Sequence, residues 1–459
     1  MNFHHDVIAP VILGVTGILF FAVIGRYTAR RLGQPSVLGE VIMGIIIGNV
    51  GYLLGNELIQ VLREGTAVFD MVDRMLSGAT LAQAGQATLA AANAGSVLHI
   101  LAGPHGADYL KVAQTVDTFS RYGVIFMLFL VGLETSLHEL RRSGREALQV
   151  SLIGVLVPFV LGMVVTRAFL PNLSLSEDLF VAATLVATSV GITARVLQDL
   201  GQLRSRPALV ILGAAVIDDV LGLIMLAVVT GIVISGNVSL AEVGISIALS
   251  AVFFAAAFTL GPYFLNFTIW LVRHLDMVEA KMFTSFLFVM VLAWLANLIG
   301  LATIVGAFTA GVILHDGYFR HWGDQEHHQV CIKDLIAPLE TILVPIFFVL
   351  MGIQVKLESF LHWNVLAVAL GLILVAIVGK LVAGLGAASA SNRMAVGLGM
   401  MPRGEVGLIF AALGKSLGVL GNGLFSSIVM MVVVTTLVTP PLLKLSLGTS
   451  SQKRDSESS

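Results

Sequence analysis

Residues 208–234 read ALVILGAAVIDDVLGLIMLAVVTGIVI, an apolar run that carries two adjacent aspartates, Asp218 and Asp219, near its middle. The run is long enough to cross a bilayer as a helix, since a crossing needs about 20 residues. A carboxylate at the centre of such a helix costs at least ~2.5 kcal/mol by insertion scales, which makes it a candidate functional group. Water-lined carboxylates in a membrane can exchange a proton for a small cation, and we predict this activity for the pair.

The composition of the whole chain is that of a membrane protein. Of its 459 residues, 57% are hydrophobic and 12% are charged, against roughly 25% charged residues in a soluble domain. The net charge of −2 and the lack of a basic stripe argue against a nucleic-acid partner. The single cysteine, Cys331, excludes an intrachain disulfide and a cysteine-based metal site. We expect a transporter without a cofactor rather than an enzyme, with a first helix that is retained and not cleaved as a signal peptide.

Apolar runs of bilayer length predict an all-α polytopic membrane protein with about thirteen transmembrane helices. We number these predicted helices 1 to 13 in chain order. Their spans are 8–30, 36–55, 119–137, 147–170, 176–198, 208–234, 241–271, 281–299, 301–318, 335–355, 363–390, 394–415 and 423–446.

Arginine and lysine residues concentrate in every second connection, beginning with the one after predicted helix 1. By the positive-inside rule, this asymmetry places the N-terminus outside and the C-terminus in the cytoplasm. We predict that the chain lies in a bacterial inner membrane or an equivalent energy-coupled membrane. The long stretch 56–117 is then extracytoplasmic, and its apolar pieces are short enough to favour surface helices or a re-entrant cap. The polar residues 447–459 are predicted to form a disordered cytoplasmic tail.

Two pairs of short motifs indicate an inverted repeat. FLVGLE at 129–134 is similar to FVLMGIQ at 348–354, and GEVIMG at 39–44 is similar to GAFTAG at 306–311. The two motifs of each pair lie an odd number of predicted helices apart. The two halves of the chain are therefore expected to face opposite sides of the membrane. Many secondary transporters follow this plan, with the substrate site at the midplane between the repeats.

Two predicted helices are interrupted at corresponding positions of the two halves. TSVGIT at 188–193 interrupts predicted helix 5, and MPRGE at 401–405 interrupts predicted helix 12. Backbone groups freed at such breaks can coordinate a cation or offset a charge. We therefore predict that the two broken helices cross near the aspartates. Adjacent helical residues point about 100° apart, so one aspartate can face the breaks while the other faces Lys380 of predicted helix 11.

Hard oxygen ligands at this position suit an ion of the size of Na⁺ or K⁺. The candidate ion-binding and proton-coupling residues are Asp219, Asp218, Thr188 and Ser189. Lys380 beside Asp218 forms an ion pair that a bound cation has to disrupt. The alternative is that the Asp218–Lys380 ion pair only holds two helices together.

Four further charges lie in or near the predicted helices. Arg403 and Glu405 do not face each other at a spacing of two residues, so we expect each to form a structural or gating salt bridge elsewhere. Glu40 and Glu134 lie near predicted helix ends. A solvated or packing role is the expectation for both.

Together these residues resemble the monovalent cation/proton antiporter superfamily, in particular the bacterial sodium(potassium)/proton exchangers related to the membrane domain of potassium efflux systems. The motifs that carry the resemblance are LGQPSVLGE at 32–40, FLVGLE at 129–134, ATSVG at 187–191, the Asp218-Asp219 pair, Gly379-Lys380 and PRGE at 402–405. Each motif alone is weak, but their combination extends from predicted helix 1 to predicted helix 12.

The resemblance implies a homodimer that works by elevator-type alternating access, and the presence of two aspartates implies electrogenic exchange. It implies that Asp219 binds the ion, that Asp218 pairs with Lys380, and that the break at 188–189 belongs to the site. The expected divisions are 1–55 for the first helices of repeat 1 in the dimer domain, 56–117 for the insertion, 118–234 for the rest of repeat 1 with the core ion site, 235–275 for a linker helix, 276–446 for repeat 2 and 447–459 for the tail.

Two departures from the family pattern leave alternatives open. The insertion at 56–117 is long, and we expect no nucleotide-binding domain after predicted helix 13. The expected partners are a monovalent cation, a proton, the lipid bilayer and a second copy of the chain. One alternative is a potassium efflux system or K⁺/H⁺ exchanger regulated by a separate soluble subunit, which nothing in the sequence indicates. The other is an organic-anion symporter on the same inverted-repeat plan.

Overall fold

The computed structural model describes residues 8–457 except 90, 135–136, 172, 236–239, 302, 320–329, 359–362, 389–390, 405–406, 408–409, 412–413, 415–416 and 418. Within these residues every regular element is helical, which confirms the predicted all-α class. The α-helices are α1 (Ala9–Arg31), α2 (Ser36–Leu53), α3 (Glu57–Arg63), α4 (Thr66–Leu76), α5 (Leu81–Thr88), α6 (Ala91–Ala102), α7 (Gly106–Glu134), α8 (Leu137–Phe169), α9 (Leu175–Thr184), α10 (Val190–Asp199), α11 (Arg206–Ser235), α12 (Leu240–Leu271), α13 (Met277–Leu298), α14 (Thr303–Ile313), α15 (Ile332–Ile353), α16 (Trp363–Ala383), α17 (Arg393–Gly399) and α18 (Asn422–Glu457).

Nine helices in the described part of the chain are long and apolar enough to cross a membrane. The chain is therefore an integral multi-pass membrane protein. Predicted helix 5 consists of two short helices, α9 and α10, on either side of a break, and predicted helix 12 begins with the seven-residue α17. Broken or short helices of this kind do not reach the length of an unbroken span. The number thirteen stays a prediction.

The helices pack in two groups. The first group contains α1, α2, α7, α13, α14 and α15, and the second contains α8, α9, α11, α16, α17 and α18. Helix α10 contacts members of both groups, and α12 connects them through contacts with α11, α13 and α14. Helix α7, which the sequence boundaries place with the ion-site helices, packs mainly against α14 and α15. The division of the chain into functional domains stays a prediction.

Glycines at the paired motifs allow two close helix crossings. A Cβ atom on Gly132 of α7 would lie 2.3 Å from the Phe308 carbonyl oxygen of α14. A Cβ atom on Gly352 of α15 would lie 2.2 Å from the Val41 carbonyl oxygen of α2. The α7–α14 crossing and the α15–α2 crossing thus join corresponding motifs of the two pairs. Small residues at both crossings let the membrane helices approach closely. The inverted repeat itself stays a prediction.

We expect Gly132→Ala to destabilise the protein by about 1–3 kcal/mol, since the added methyl group must displace the α14 backbone. Gly17→Ala is the matched control, because no atom lies within 4 Å of a Cβ at that position of α1. The control should be neutral or stabilising by up to about 1 kcal/mol. The measurement is the midpoint of thermal unfolding in detergent, and equal midpoints for the two variants would contradict the close crossing.

The insertion forms four short helices, α3 to α6, none of which is long enough to span a bilayer. Two ion pairs connect α3 and its C-cap to the segment that follows α15. They join Arg63 to Glu358 at 2.6 Å and Lys356 to Glu64 at 2.5 Å. The last residues of the predicted insertion belong to α7, which begins at Gly106 and carries an acidic residue in its first turn, where the helix dipole favours negative charge.

The C-terminal tail differs from the prediction. Helix α18 continues to Glu457, whereas the sequence assigns 447–459 to a disordered segment. Glutamine, lysine, arginine and glutamate have favourable helix propensities, and residues 452–457 contain all four. A helix that is already nucleated in the membrane can therefore extend through these residues.

Candidate functional site

Two interrupted helices cross and bond to each other through their backbones. The first break separates α9 from α10, and the second is the non-helical segment 401–404 that follows α17. The Ser189 amide donates a hydrogen bond to the Pro402 carbonyl at 2.9 Å. The Thr193 hydroxyl donates to the Gly399 carbonyl at 2.6 Å. The two breaks predicted from the sequence therefore lie together.

Arg403 lies within this crossing and is completely buried. Its guanidinium donates to the carbonyl of Val186, at 3.0 Å, and to that of Ala187. Both carbonyls follow the end of α9, where unpaired oxygens carry the negative end of the helix dipole. The Arg403 carbonyl accepts a hydrogen bond from Thr436 of α18 at 2.7 Å. Arg403 thus fixes the geometry of the first break.

The salt bridge expected for Arg403 is not present among the described residues. Among the described residues, the hydrogen-bond acceptors of Arg403 are carbonyl oxygens and not carboxylates. Both bonds come from Nη1, and the Nε and Nη2 atoms of the buried guanidinium have no hydrogen-bond partner among the described residues. Glu405 lies outside the described residues, and so does the side chain of Glu134. Their predicted roles stay predictions.

Asp218 is the most heavily bonded carboxylate near the crossing. Its Oδ2 atom accepts from Lys380 Nζ and from Thr188 Oγ1, both at 2.8 Å. Its Oδ1 atom accepts from the hydroxyl of Ser151 on α8. None of the four side chains is more than 3% exposed. The structure therefore joins Asp218, Lys380 and Thr188, and adds Ser151, which the sequence did not single out.

Asp219 follows on α11 and is only partly buried. The Asp219 side chain points about 100° away from that of Asp218 around the axis of α11. Ser189, the N-cap of α10, is 6% exposed and its hydroxyl makes no capping hydrogen bond. A Cβ atom on Gly404 would lie 2.4 Å from the Ser189 hydroxyl, so glycine is needed for this close approach of the two breaks. Carboxylate, hydroxyl and carbonyl oxygens together form a donor set suited to a small hard cation.

Similarity to known proteins extends over almost the whole chain. The family model described as sodium/hydrogen exchanger, transmembrane, matches residues 18–445. The chain belongs to the sodium/hydrogen exchanger family. This assignment confirms the resemblance to cation/proton antiporters that the motifs predicted.

Named relatives are similar to this chain over most of its length. The high-affinity Na⁺/H⁺ antiporter NhaS3 of Synechocystis sp. is 34% identical over 95% of this chain and 90% of the relative. The Na⁺/H⁺-K⁺ antiporter GerN of Bacillus cereus is 30% identical over 91% of each chain. The structure of the sodium proton antiporter MjNhaP1 from Methanocaldococcus jannaschii at pH 8 covers 95% of this chain and 96% of its own, at 15% identity and a TM-score of 0.57. That structural likeness supports the fold.

The structure also contains a second buried charge cluster, where α10 meets the first helix group. Arg195 of α10 pairs with Glu340 of α15 and lies 3.4 Å from Asp199. The other carboxylate oxygen of Asp199 accepts from the Ser36 amide of α2 at 2.8 Å. These bonds connect a broken helix of the site to α2 and α15. Neither Arg195 nor Glu340 was predicted from the sequence.

Of the solvated and packing roles expected for Glu40, the structure excludes the solvated one. Glu40 is 0% exposed and accepts from Arg26 of α1 at 2.8 Å, so it is not a solvated group near a helix end. The adjoining connection between α1 and α2 is only four residues long and folds the two helices against each other. Burial of Glu40 follows from that packing, and its charge requires a partner in a low-dielectric environment.

We expect Arg195→Gln to lower the free energy of unfolding by about 3–5 kcal/mol, because it leaves buried Glu340 without its cationic partner. Arg206→Gln is the matched control, since Arg206 pairs with Glu146 at 2.6 Å but is 50% exposed. An exposed pair contributes about 1 kcal/mol or less. The measurement is the thermal unfolding midpoint of each variant. An equal loss of stability in Arg206→Gln and Arg195→Gln would refute a special role for burial.

Proposed function

We propose that this protein is a secondary active antiporter that exchanges Na⁺ for protons across a membrane. The observation that supports the proposal is the buried hydrogen bonding of Asp218 to Thr188 at the first helix break and to Lys380. Carboxylates within a membrane are costly and mark ion or proton pathways. The relatives named Na⁺/H⁺ antiporters support the same activity.

Exchange follows from competition for the same oxygen atoms. Na⁺ requires ionised carboxylates, whereas protons neutralise them, so the two ligands exclude each other. Movement of the site with two ionised carboxylates and no bound ligand is unfavourable, because each buried charge costs several kcal/mol unless it is compensated. The site therefore moves with either a cation or protons bound. This obligatory loading couples the two fluxes.

The ion pair determines the charge carried in each cycle. When Na⁺ is bound to two ionised carboxylates and Lys380 is neutral, the three side chains and the ion sum to −1. When Asp219 is protonated and Asp218 pairs with charged Lys380, the sum is zero. One Na⁺ therefore exchanges for two protons, and the cycle is electrogenic. The two helix groups, which meet at α10, are suited to an elevator-type movement of one group against the other.

K⁺/H⁺ exchange is the second candidate, and the name of GerN includes K⁺ as well as Na⁺. Li⁺ is a further candidate cargo, because it takes the same hard oxygen ligands. We also propose a homodimer in a bacterial inner membrane, with the N-terminus outside and the C-terminus in the cytoplasm. Membership of the exchanger family favours these antiport activities over organic-anion symport.

The test is proton flux in proteoliposomes that contain the purified wild-type protein. An imposed Na⁺ gradient should move protons in the opposite direction, and a membrane potential should change the rate because the cycle is electrogenic. K⁺ and Li⁺ gradients determine the ion preference, with choline as the inert control. Proton movement that is the same with Na⁺ and choline would refute Na⁺/H⁺ exchange.

A further inference from the structure

We propose that the charge cluster around Arg195 is a conformational latch, which holds α10 against the first helix group and has to open in each transport cycle. The inference rests on the proposed exchange, in which one helix group moves against the other. The latch consists of the side chains of Arg195, Glu340 and Asp199 and of the backbone amide of Ser36. It adds a contact outside the proposed ion site to the transport cycle.

The N-terminal end of α10 is bonded to the second helix group. The Ser189 amide donates to the Pro402 carbonyl at 2.9 Å, and the Thr193 hydroxyl donates to the Gly399 carbonyl at 2.6 Å. Gly399 ends α17, and Pro402 follows it in the second helix break. Because these bonds belong to the crossing at the proposed ion site, we expect this end of α10 to move with the second group.

The C-terminal end of α10 is bonded to the first helix group instead. Arg195 pairs with Glu340 of α15, and Oδ2 of Asp199 accepts from the Ser36 amide of α2 at 2.8 Å. Arg195 and Glu340 are only 6% and 5% exposed. The two ends of one ten-residue helix are thus held by different groups.

Further charges of the first group surround the latch. Arg26 of α1 pairs with Glu40 of α2 at 2.8 Å. Glu40 also interacts electrostatically with Arg195 and Asp199. Glu340 interacts in the same way with Arg26 as well as with Arg195. The charges that face the end of α10 therefore belong to α1, α2 and α15.

Movement of the second group relative to the first separates these charges. Separation of a buried ion pair is unfavourable unless water or another partner replaces the lost contacts. The closed latch therefore stabilises the conformation seen in the structure over one in which the groups are shifted. Neutral side chains in place of Arg195 and Glu340 should raise the population of the shifted conformation.

The first test is reversible cross-linking of α10 to α2 in proteoliposomes. The protein carries Ser36→Cys and Asp199→Cys, and its native, exposed cysteine is removed by Cys331→Ser. A bifunctional methanethiosulfonate reagent joins the two introduced thiols, and a reducing agent releases them. We expect cross-linking to lower Na⁺-driven proton flux to the level of protein-free liposomes and reduction to restore it.

The matched control is a cross-link within the second group. Asn392, which precedes α17, donates through its side chain to the Ser446 carbonyl of α18 at 2.9 Å. Protein cross-linked between Asn392→Cys and Ser446→Cys should transport at the rate of its reduced form. Undiminished flux through protein cross-linked between positions 36 and 199 would show that this contact does not open in the cycle, and would overturn the inference.

The second test measures the stabilising effect of the latch without transport. In the purified protein, the bond to Asp199 protects the Ser36 amide from hydrogen exchange. The double variant Arg195→Gln with Glu340→Gln removes one charge of each sign, so neither partner of the pair is left as an uncompensated ion. Its Ser36 amide should exchange at least about tenfold faster than in the wild type.

Arg206→Gln with Glu146→Gln is the control for hydrogen exchange, since it removes an ion pair between α11 and α8 of the second group. Its Ser36 amide should exchange at the wild-type rate. Equal exchange in the wild type and in the Arg195→Gln with Glu340→Gln protein would also overturn the inference. Absence of Na⁺-driven flux in the wild type would instead refute the proposed function, and the hydrogen-exchange comparison would still decide whether the cluster holds α10.

Discussion

Asp219→Asn is expected to reduce Na⁺-driven proton flux in proteoliposomes to the level of protein-free liposomes. Asparagine has nearly the same shape as aspartate, but it neither takes up a proton in this pH range nor supplies a negative charge to a cation. Asp218 accepts from three donors, and we expect Asp219 to be the carboxylate of the pair that exchanges the cation for a proton. Loss of its charge removes the competition that couples the two fluxes.

Two measurements make the result specific. Asp108→Asn is a control with the same chemical change on an exposed part of α7, where Asp108 is 40% exposed. It should transport at the wild-type rate. The purified Asp219→Asn protein should unfold at a temperature close to that of the wild type, which separates loss of function from loss of fold. Transport by Asp219→Asn at the rate of the control would remove this residue from the mechanism.

Lys380→Gln is expected to destabilise the protein strongly. The substitution leaves the buried Asp218 carboxylate with hydroxyl donors alone, and removal of one partner of a buried ion pair costs about 3–5 kcal/mol. The Lys380 and Asp218 side chains are both 0% exposed, so solvent screens their interaction very little. The thermal unfolding midpoint should fall accordingly. Any residual transport should carry a different charge per Na⁺ in a solid-supported-membrane current.

The double variant Asp218→Asn with Lys380→Gln tests whether the stability effect arises from the pair. Removal of both charges leaves no uncompensated ion, so its midpoint should lie closer to the wild type than that of Lys380→Gln. The coupling energy follows from the double-mutant cycle. Additive losses in the double variant would show that the two side chains act independently. An unchanged current in Lys380→Gln would show that the lysine does not contribute to the charge carried.

The contacts made by Asp218 show what the sequence could predict about the site. Charged residues are so rare in membrane helices that Asp218 had few possible ionic partners, and Lys380 was identified although it lies 162 residues away. The breaks were equally visible, because glycine and proline within an apolar run predict an interrupted helix. The all-helical fold followed from the long apolar runs. These signals depend on composition and position along the chain, and they do not require knowledge of tertiary contacts.

Ser151 and the Arg195–Glu340 pair show what the sequence could not predict. Hydroxyl residues are common in membrane helices and usually bond within their own helix, so nothing in its sequence context distinguishes Ser151 from the others. Arg195 and Glu340 are 145 residues apart, and they meet only because α10 packs against α2 and α7, which in turn pack against α15. Arg403 was expected to pair with a carboxylate, yet it donates to backbone carbonyls, which have no sequence signature. Tertiary packing decides each of these contacts.

The most direct test of the competition between Na⁺ and protons is the half-saturating Na⁺ concentration of the wild-type protein as a function of pH. If both ligands use the carboxylates at the crossed breaks, this concentration should rise by up to about tenfold for each competing proton as the pH falls by one unit. The maximal rate at saturating Na⁺ should stay nearly constant over the same range. A half-saturating concentration that is independent of pH, with a maximal rate that changes instead, would contradict a shared site.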